Sequence, residues 1–148
     1  MLKIGRLADY GLLIAHYLEQ RAEQVTTEEI ARGTFIPVAT ARKLLKYLVD
    51  GGIVASRRGL RGGYQLARPG PEISIADVIQ AVEGPIALTE CNRGSGNCEL
   101  EPTCALRDSW SFINDLVTDR LKTFTLADIA SDMRHPPAAA QVQVVQAK

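Results

Sequence analysis

Apolar positions recur at helical spacing along most of this chain, and one short stretch breaks the rhythm. Over residues 5–19, Leu7, Tyr10, Ile14, Tyr17 and Leu18 follow the i, i+3, i+7 pattern of one buried face, which predicts a first helix. Asp9 lies near its start, where the helix dipole favours a carboxylate. His16, inside it, reads as a packed or surface residue and not as a ligand. Thr26 followed by Glu29 carries the capping-box signature and opens a short helix, Thr27–Arg32, with Gly33 as its stop. After the turn Thr34-Phe35-Ile36, Pro37 suits the first turn of a further helix. That helix is predicted to reach Asp50, with Leu44, Leu45, Leu48 and Val49 facing inward, and Gly51-Gly52 stops it.

The period then changes. Ile53-Val-Ala-Ser-Arg57 alternates as a strand, Arg58-Gly-Leu-Arg-Gly-Gly63 is a turn, and Tyr64-Gln-Leu-Ala67 is the return strand. Two helices joined by a short turn and followed by a hairpin predict a helix-turn-helix with a wing. Pro69-Gly70-Pro71 marks a boundary. Ser74 with Asp77 caps a helix ending at Glu83-Gly84-Pro85. Residues 105–122 form a longer helix with Leu106, Trp110, Ile113, Leu116, Val117 and Leu121 on one stripe. Thr125 with Asp128 caps a last short helix to about Met133. The expected architecture is mainly α with a small β-hairpin wing. Residues 1–68 are the winged helix-turn-helix, residues 69–133 are a helix, a loop and a dimerisation helix in one compact unit with it, and 134–148 are a disordered tail. The long stripe serves as core or as a dimer seam. The seam is favoured because a small DNA-binding module gains affinity by dimerising on a palindrome.

Charge sharpens this division. The net charge of zero conceals 11 Lys+Arg against 6 Asp+Glu over residues 1–68, a balance of +5. Residues 69–148 carry 6 against 11, a balance of −5. From Arg32 to Arg68 there are eight basic residues and one acid, Asp50. A basic half joined to an acidic half fits a protein of which the first half alone meets a polyanion. Thr40, Arg42 and Lys43 fall early in the second helix of the helix-turn-helix, where base contacts are made, and Arg42 has the geometry to pair with guanine. Lys46, Arg58 and Arg61 are placed to hold phosphates. Gly62 and Gly63 let the wing backbone approach a phosphate or enter a groove. Tyr64 braces the wing. At 46% hydrophobic residues the chain can bury a core. It shows neither a run of transmembrane length nor a secretory signal, so a soluble cytoplasmic protein is expected.

All three cysteines gather in one loop, with the spacing Cys91-x6-Cys98-x5-Cys104. Gly94, Gly96, Asn92, Asn97 and Pro102 lie between them. Three thiolates in a glycine-rich loop suit iron–sulfur ligation, which normally takes four ligands. Other readings remain open at this point. A disulfide with a spare thiol is disfavoured by the odd count and the missing secretory signal. Structural zinc normally uses close Cys-x2–4-Cys pairs, which are absent. A thiol switch and three unrelated cysteines complete the set.

Taken together, Asp9-Tyr10-Gly11, the Gly52-Ile53-Val54 approach to the wing, the wing Arg58-Gly-Leu-Arg-Gly-Gly-Tyr64 and the three cysteines resemble the winged-helix iron–sulfur regulators that include IscR, NsrR and RirA. The resemblance runs over residues 1–133. The run Glu83-Gly-Pro-Ile-Ala-Leu-Thr-Glu-Cys91 and Trp110 look most like the branch regulating SUF iron–sulfur assembly. The resemblance implies a homodimer on a double-stranded DNA operator and a [2Fe-2S] or [4Fe-4S] cluster held by Cys91, Cys98 and Cys104. It implies control of operator binding by that cluster. IscR-like members carry a histidine three residues after the third cysteine, whereas this chain has Arg107, which is no ligand. In the nitric-oxide-sensing branch an aspartate of the first helix, from the partner subunit, completes the site, and Asp9 occupies that motif here. The rivals are a nitric-oxide- or iron-responsive repressor of the same family, a cluster-free thiol-switch regulator and a ferredoxin-type electron carrier. Two histidines and no nucleophile–base pair give no basis for an enzyme.

Overall fold

The computed structural model describes residues 4–59, 61–94, 96–99 and 103–130. The expected short helix capped by Thr125 and Asp128 is followed only to Ala130, and the tail expected over 134–148 lies outside the described residues. Helices α1 (Arg6–Glu19), α2 (Thr27–Thr34) and α3 (Val38–Asp50) precede an antiparallel hairpin of β1 (Val54–Arg57) and β2 (Gly63–Leu66). A single 3₁₀ turn, Gly70–Glu72, leads to α4 (Ile75–Glu83), and then come α5 (Arg107–Lys122) and α6 (Leu126–Ala130). No helix among the described residues is long and apolar enough to cross a membrane.

Each capping signature does what its chemistry requires. The Thr26 hydroxyl accepts from Glu29 N–H, while the Glu29 carboxylate accepts from Thr26 N–H at 2.8 Å. Donation from Thr26 N–H, and from the Thr26 hydroxyl at 2.7 Å, holds the Glu29 carboxyl below its ordinary range. Ser74 and Asp77 repeat the arrangement at α4, and Asp128 accepts from Thr125 N–H at 2.7 Å before α6. The start of α1 has no side-chain cap from its own neighbour Gly5. Glu83, at the far end of α4, supplies one by accepting from Ala8 N–H at 3.3 Å.

Two expectations need correction. On α1 the deepest residues are Ala8, Gly11, Ile14, Ala15 and Leu18, while Leu7, Tyr10 and Tyr17 are half-buried. Small residues line that face because α4 crosses there closely: a Cβ on Gly11 would meet Val82 Cγ2 at 2.8 Å. Gly33 does not end α2, which continues to Thr34 and closes on Phe35 in the left-handed conformation, φ 58°. Gly33 is required instead by crowding, since a Cβ there would run into the Tyr17 ring.

One core joins both halves of the chain. Leu44, Leu45 and Leu48 of α3, Ile53, Val54, Ile73, Val78 and Leu126 belong to the same buried cluster as Ile14 and Leu18. The Pro69-Gly70-Pro71 boundary therefore marks a change of charge, not a break in packing. The hairpin register pairs Val54 with Leu66 and Arg57 with Gly63. A further bridge between Val25 and Tyr64, two N–H···O bonds of 2.9 Å, fastens β2 to the segment before α2.

Crowding at Gly33 yields a test. Alanine normally stabilises a helix interior by about 1 kcal/mol relative to glycine. Here Gly33→Ala is expected to destabilise by roughly 1–3 kcal/mol through overpacking. Tyr17→Ala should remove that penalty in the double variant, measured by denaturant unfolding. Simple additivity of the two substitutions would show that the ring is not the obstacle.

Candidate nucleic-acid interface and cysteine loop

The exposed side of α3 and the hairpin meet in an open groove of about 490 Å³ lined by Ala39, Arg42, Lys43, Lys46, Ser56 and Tyr64. Helical geometry puts Ala39, Arg42, Lys43 and Lys46 on one face, opposite the buried Ala41, Leu44, Leu45 and Leu48. Arg42 is well exposed and stands 3.8 Å from Glu28 at the start of α2. Lys43 leans over the Tyr47 ring, 5.7 Å from its centroid. Thr40 is half-buried on the first turns of α3. Arg58 and Arg61 project from the wing tip, both exposed. Gly62 N–H donates to the Gly59 carbonyl at 2.8 Å, so that amide closes the tip and is not free for a phosphate. Gly63 lets β2 approach Val25, whose carbonyl oxygen would stand 2.8 Å from an added Cβ. Tyr64 is half-buried against the core and braces the wing, as expected.

The cysteine loop hangs between α4 and α5. Cys91 sits in a 3₁₀ turn, Glu90–Arg93, with its sulfur 3.0 Å from Thr89 Oγ1. Cys98 follows Gly94 and Gly96, which take positive φ of 129° and 86°. Cys104 precedes α5, and its carbonyl accepts from Arg107 N–H at 3.3 Å. All three thiols are free and partly exposed. Among the described residues no three His, Cys, Asp or Glu side chains converge as a metal site. Asp9 is exposed on the first turn of α1.

Two asparagines, Asn92 of the loop and Asn114 of α5, bind this loop to α5. Asn114 accepts from Leu88 N–H at 2.9 Å and donates to the Ile86 carbonyl at 3.2 Å. Asn92 donates to the Trp110 carbonyl at 3.2 Å. The α5 stripe itself is divided. Val117 and Leu121 line a half-enclosed cavity of about 630 Å³ beside Ile4, Ile79 and Leu88. Leu106, Trp110, Ile113 and Leu116 are exposed, as is Phe112, and no residue of α5 is fully buried.

A family model described as Rrf2, iron-dependent transcriptional regulator, matches residues 4–132. The chain belongs to the Rrf2 family. An HTH-type transcriptional regulator of Mycobacterium tuberculosis is 40% identical over 107 residues, covering 72% of this chain and 66% of the relative. The chain thus spans just under two thirds of that relative's length. The structure of CymR from B. subtilis, described as its global cysteine regulator, superposes with TM-score 0.68 at 32% identity over 88% of this chain and 98% of CymR. IscR of T. potens gives TM-score 0.68 at 25% identity over 96% of this chain and 93% of IscR. The winged-helix fold and the likeness to IscR expected from the sequence are thereby met.

Within the Rrf2-family fold, α3 with its hairpin is the winged helix. The sequence reading had passed over Glu28, whose pairing with Arg42 links residues fourteen positions apart and leaves no local signature. Phe35, expected only as a turn residue, and Val38 are both exposed at the start of α3.

The Asn114 clasp generates the next prediction. Asn114→Ala strips a donor and an acceptor from part-buried backbone groups and is expected to cost about 1–3 kcal/mol. Maleimide labelling of Cys91 should quicken, because the segment 86–88 leading to it loses its tether. Unchanged stability and labelling would show that the clasp does not restrain the loop.

Proposed function

We propose that this Rrf2-family protein is a cytoplasmic, homodimeric transcriptional regulator whose operator binding answers to an iron–sulfur cluster on Cys91, Cys98 and Cys104, and that it controls genes of SUF-type iron–sulfur assembly. The observation that carries the cluster reading is the gathering of all three thiols, free and accessible, in one glycine-bearing loop tied to α5. The donor chemistry fits: thiolates are the ordinary ligands of iron–sulfur clusters. The three sulfurs stand apart here, so the loop closes when it takes up its ligand, and Gly94 and Gly96 give it the backbone freedom to do so. When bound, the cluster supplies iron sites that respond to iron supply and to oxidants. Asp9 is the proposed fourth ligand, from the partner subunit, because Arg107 stands where IscR-like members carry histidine.

The chain's own residues do the rest. Leu106, Trp110, Ile113 and Leu116 offer an apolar stripe that a second copy would cover, making α5 the dimer seam. The dimer sets two copies of α3 in successive major grooves, about one helical turn apart. Thr40, Arg42 and Lys43 face base edges, and Lys46, Arg58 and Arg61 hold phosphates. In the free protein Glu28 holds Arg42, and guanine would replace that carboxylate. Through Asn92 and Asn114, a change in the loop reaches α5 and with it the spacing of the two α3 helices.

A cluster-free thiol switch is the second reading, favoured by the separation of three free thiols. Anaerobic purification with iron and sulfide analysis separates the two. Under the cluster reading, Cys91→Ala, Cys98→Ala and Cys104→Ala each lose the cluster and keep the fold. Asp9→Ala keeps the dimer and gives a more labile cluster with an altered anaerobic spectrum. Colourless wild-type protein free of iron and sulfide would end the cluster reading. Spectra and air decay identical to wild type would remove Asp9 from the site.

The docking has its own test. Arg42→Ala is expected to cost roughly 1–3 kcal/mol on the operator and to relax specificity. Arg58→Ala and Arg61→Ala should weaken all sequences evenly and each reduce the salt slope by about 1. Titration of labelled duplex at several salt concentrations reads both effects, and affinity unchanged in all three variants would exclude this orientation.

A further inference from the structure

Among the described residues Phe35 is the one non-glycine with positive φ, at 58°, and it is 94% exposed. A Cβ-bearing residue meets steric resistance in that conformation. A phenyl ring left in water gains nothing inside the fold to offset it. Strain of this kind collects where a protein meets its ligand.

Val38, the first residue of α3, is exposed as well, while Ile36 between them is buried. Val38 precedes Arg42 by one helical turn, on the same side. From Thr34 to Ala41 there is no charged residue. The beginning of α3 is therefore an apolar tip, with Arg42, Lys43 and Lys46 following it. In a helix-turn-helix the first residues of this second helix enter the major groove against base edges. The apolar feature that the major groove displays is the thymine 5-methyl group.

We infer that Phe35 and Val38 form an apolar reading tip that packs on thymine 5-methyl groups, making both residues determinants of operator sequence beside the basic side chains. The inference rests on the docking of α3 proposed above. Arg42, Lys43 and Lys46, which follow the tip on the same face, favour a polyanion as the surface that covers it.

The test uses the full-length dimer and duplexes it selects from a randomised library. Each thymine in a selected site is replaced in turn by uracil, which deletes the methyl and leaves the hydrogen-bonding edge intact. At one or more thymines per half-site, wild-type affinity should fall about fourfold per methyl lost. Phe35→Gly and Val38→Ala should bind the thymine duplex more weakly and lose the discrimination at their own positions, with the salt slope unchanged. Phe35→Gly also relieves the backbone, so its thermal midpoint should equal or exceed that of wild type.

Equal binding of thymine and uracil duplexes by wild type, or full discrimination by both variants, overturns the inference. So do selected sites without thymine at the discriminated positions. A Phe35→Gly protein that loses self-association instead of thymine recognition would make the tip a protein interface. Failure of wild type to select any sequence would instead sink the docking itself.

Discussion

Leu126 is fully buried in the cluster that holds the leucines of α3, and its N–H donates to the Ile73 carbonyl at 3.0 Å. Just before it, the Phe124 carbonyl accepts from Ile75 N–H at 2.8 Å. These contacts fix the distal end of α5 to the core that positions the winged helix. The proximal end is fixed by Asn92 and Asn114. Between its ends α5 buries no residue. A helix held at both ends and apolar along an exposed face must find its burial elsewhere, because exposing such a stripe forgoes the main favourable term of folding. The proposed dimer follows from that constraint more than from the family likeness.

The same anchoring decides how a change in the cysteine loop could be felt. In the loop, Cys91, Cys98 and Cys104 all stay partly exposed. The Ile86 carbonyl and Leu88 N–H nevertheless bond to the Asn114 side chain, and the Asn92 side chain donates to the Trp110 carbonyl, which ties the loop to the first half of α5. A rearrangement of the loop therefore cannot leave α5 where it was unless those bonds break. Such a rearrangement would bias one end of a helix whose other end is held by Leu126, which amounts to a pivot and not a slide.

The short-range chemistry of this fold was legible in the sequence. The three helix caps, the wing and the inward leucines of α3 follow from local spacing, and local spacing is what a single sequence displays. The misread elements depend on partners distant in the chain. Gly33 resembled a helix stop because glycine is common there. Its actual reason, the Tyr17 ring, lies sixteen positions earlier and sends no local signal. Leu126 was not expected in the core, since one leucine in a five-residue helix has no period to betray it. The three cysteines were legible as one group in the sequence, but spacing alone carries no distances, and among the described residues they do not converge.

Charge and apolarity divide the candidate DNA face between them. Arg42 enters the ordered protein already facing Glu28 across 3.8 Å of solvent-exposed space, an arrangement worth little in stability. Its consequence lies in recognition. A base or phosphate must outcompete that carboxylate, so weak non-specific contacts gain less from Arg42 than a guanine that engages the whole guanidinium. Phe35 and Val38 work in the same direction, since an apolar tip draws nothing from phosphates. A face built this way depends on base edges for a larger share of its affinity than its basic composition suggests. Such a face would suit the regulator proposed above, because base contacts carry the sequence information that phosphate contacts lack.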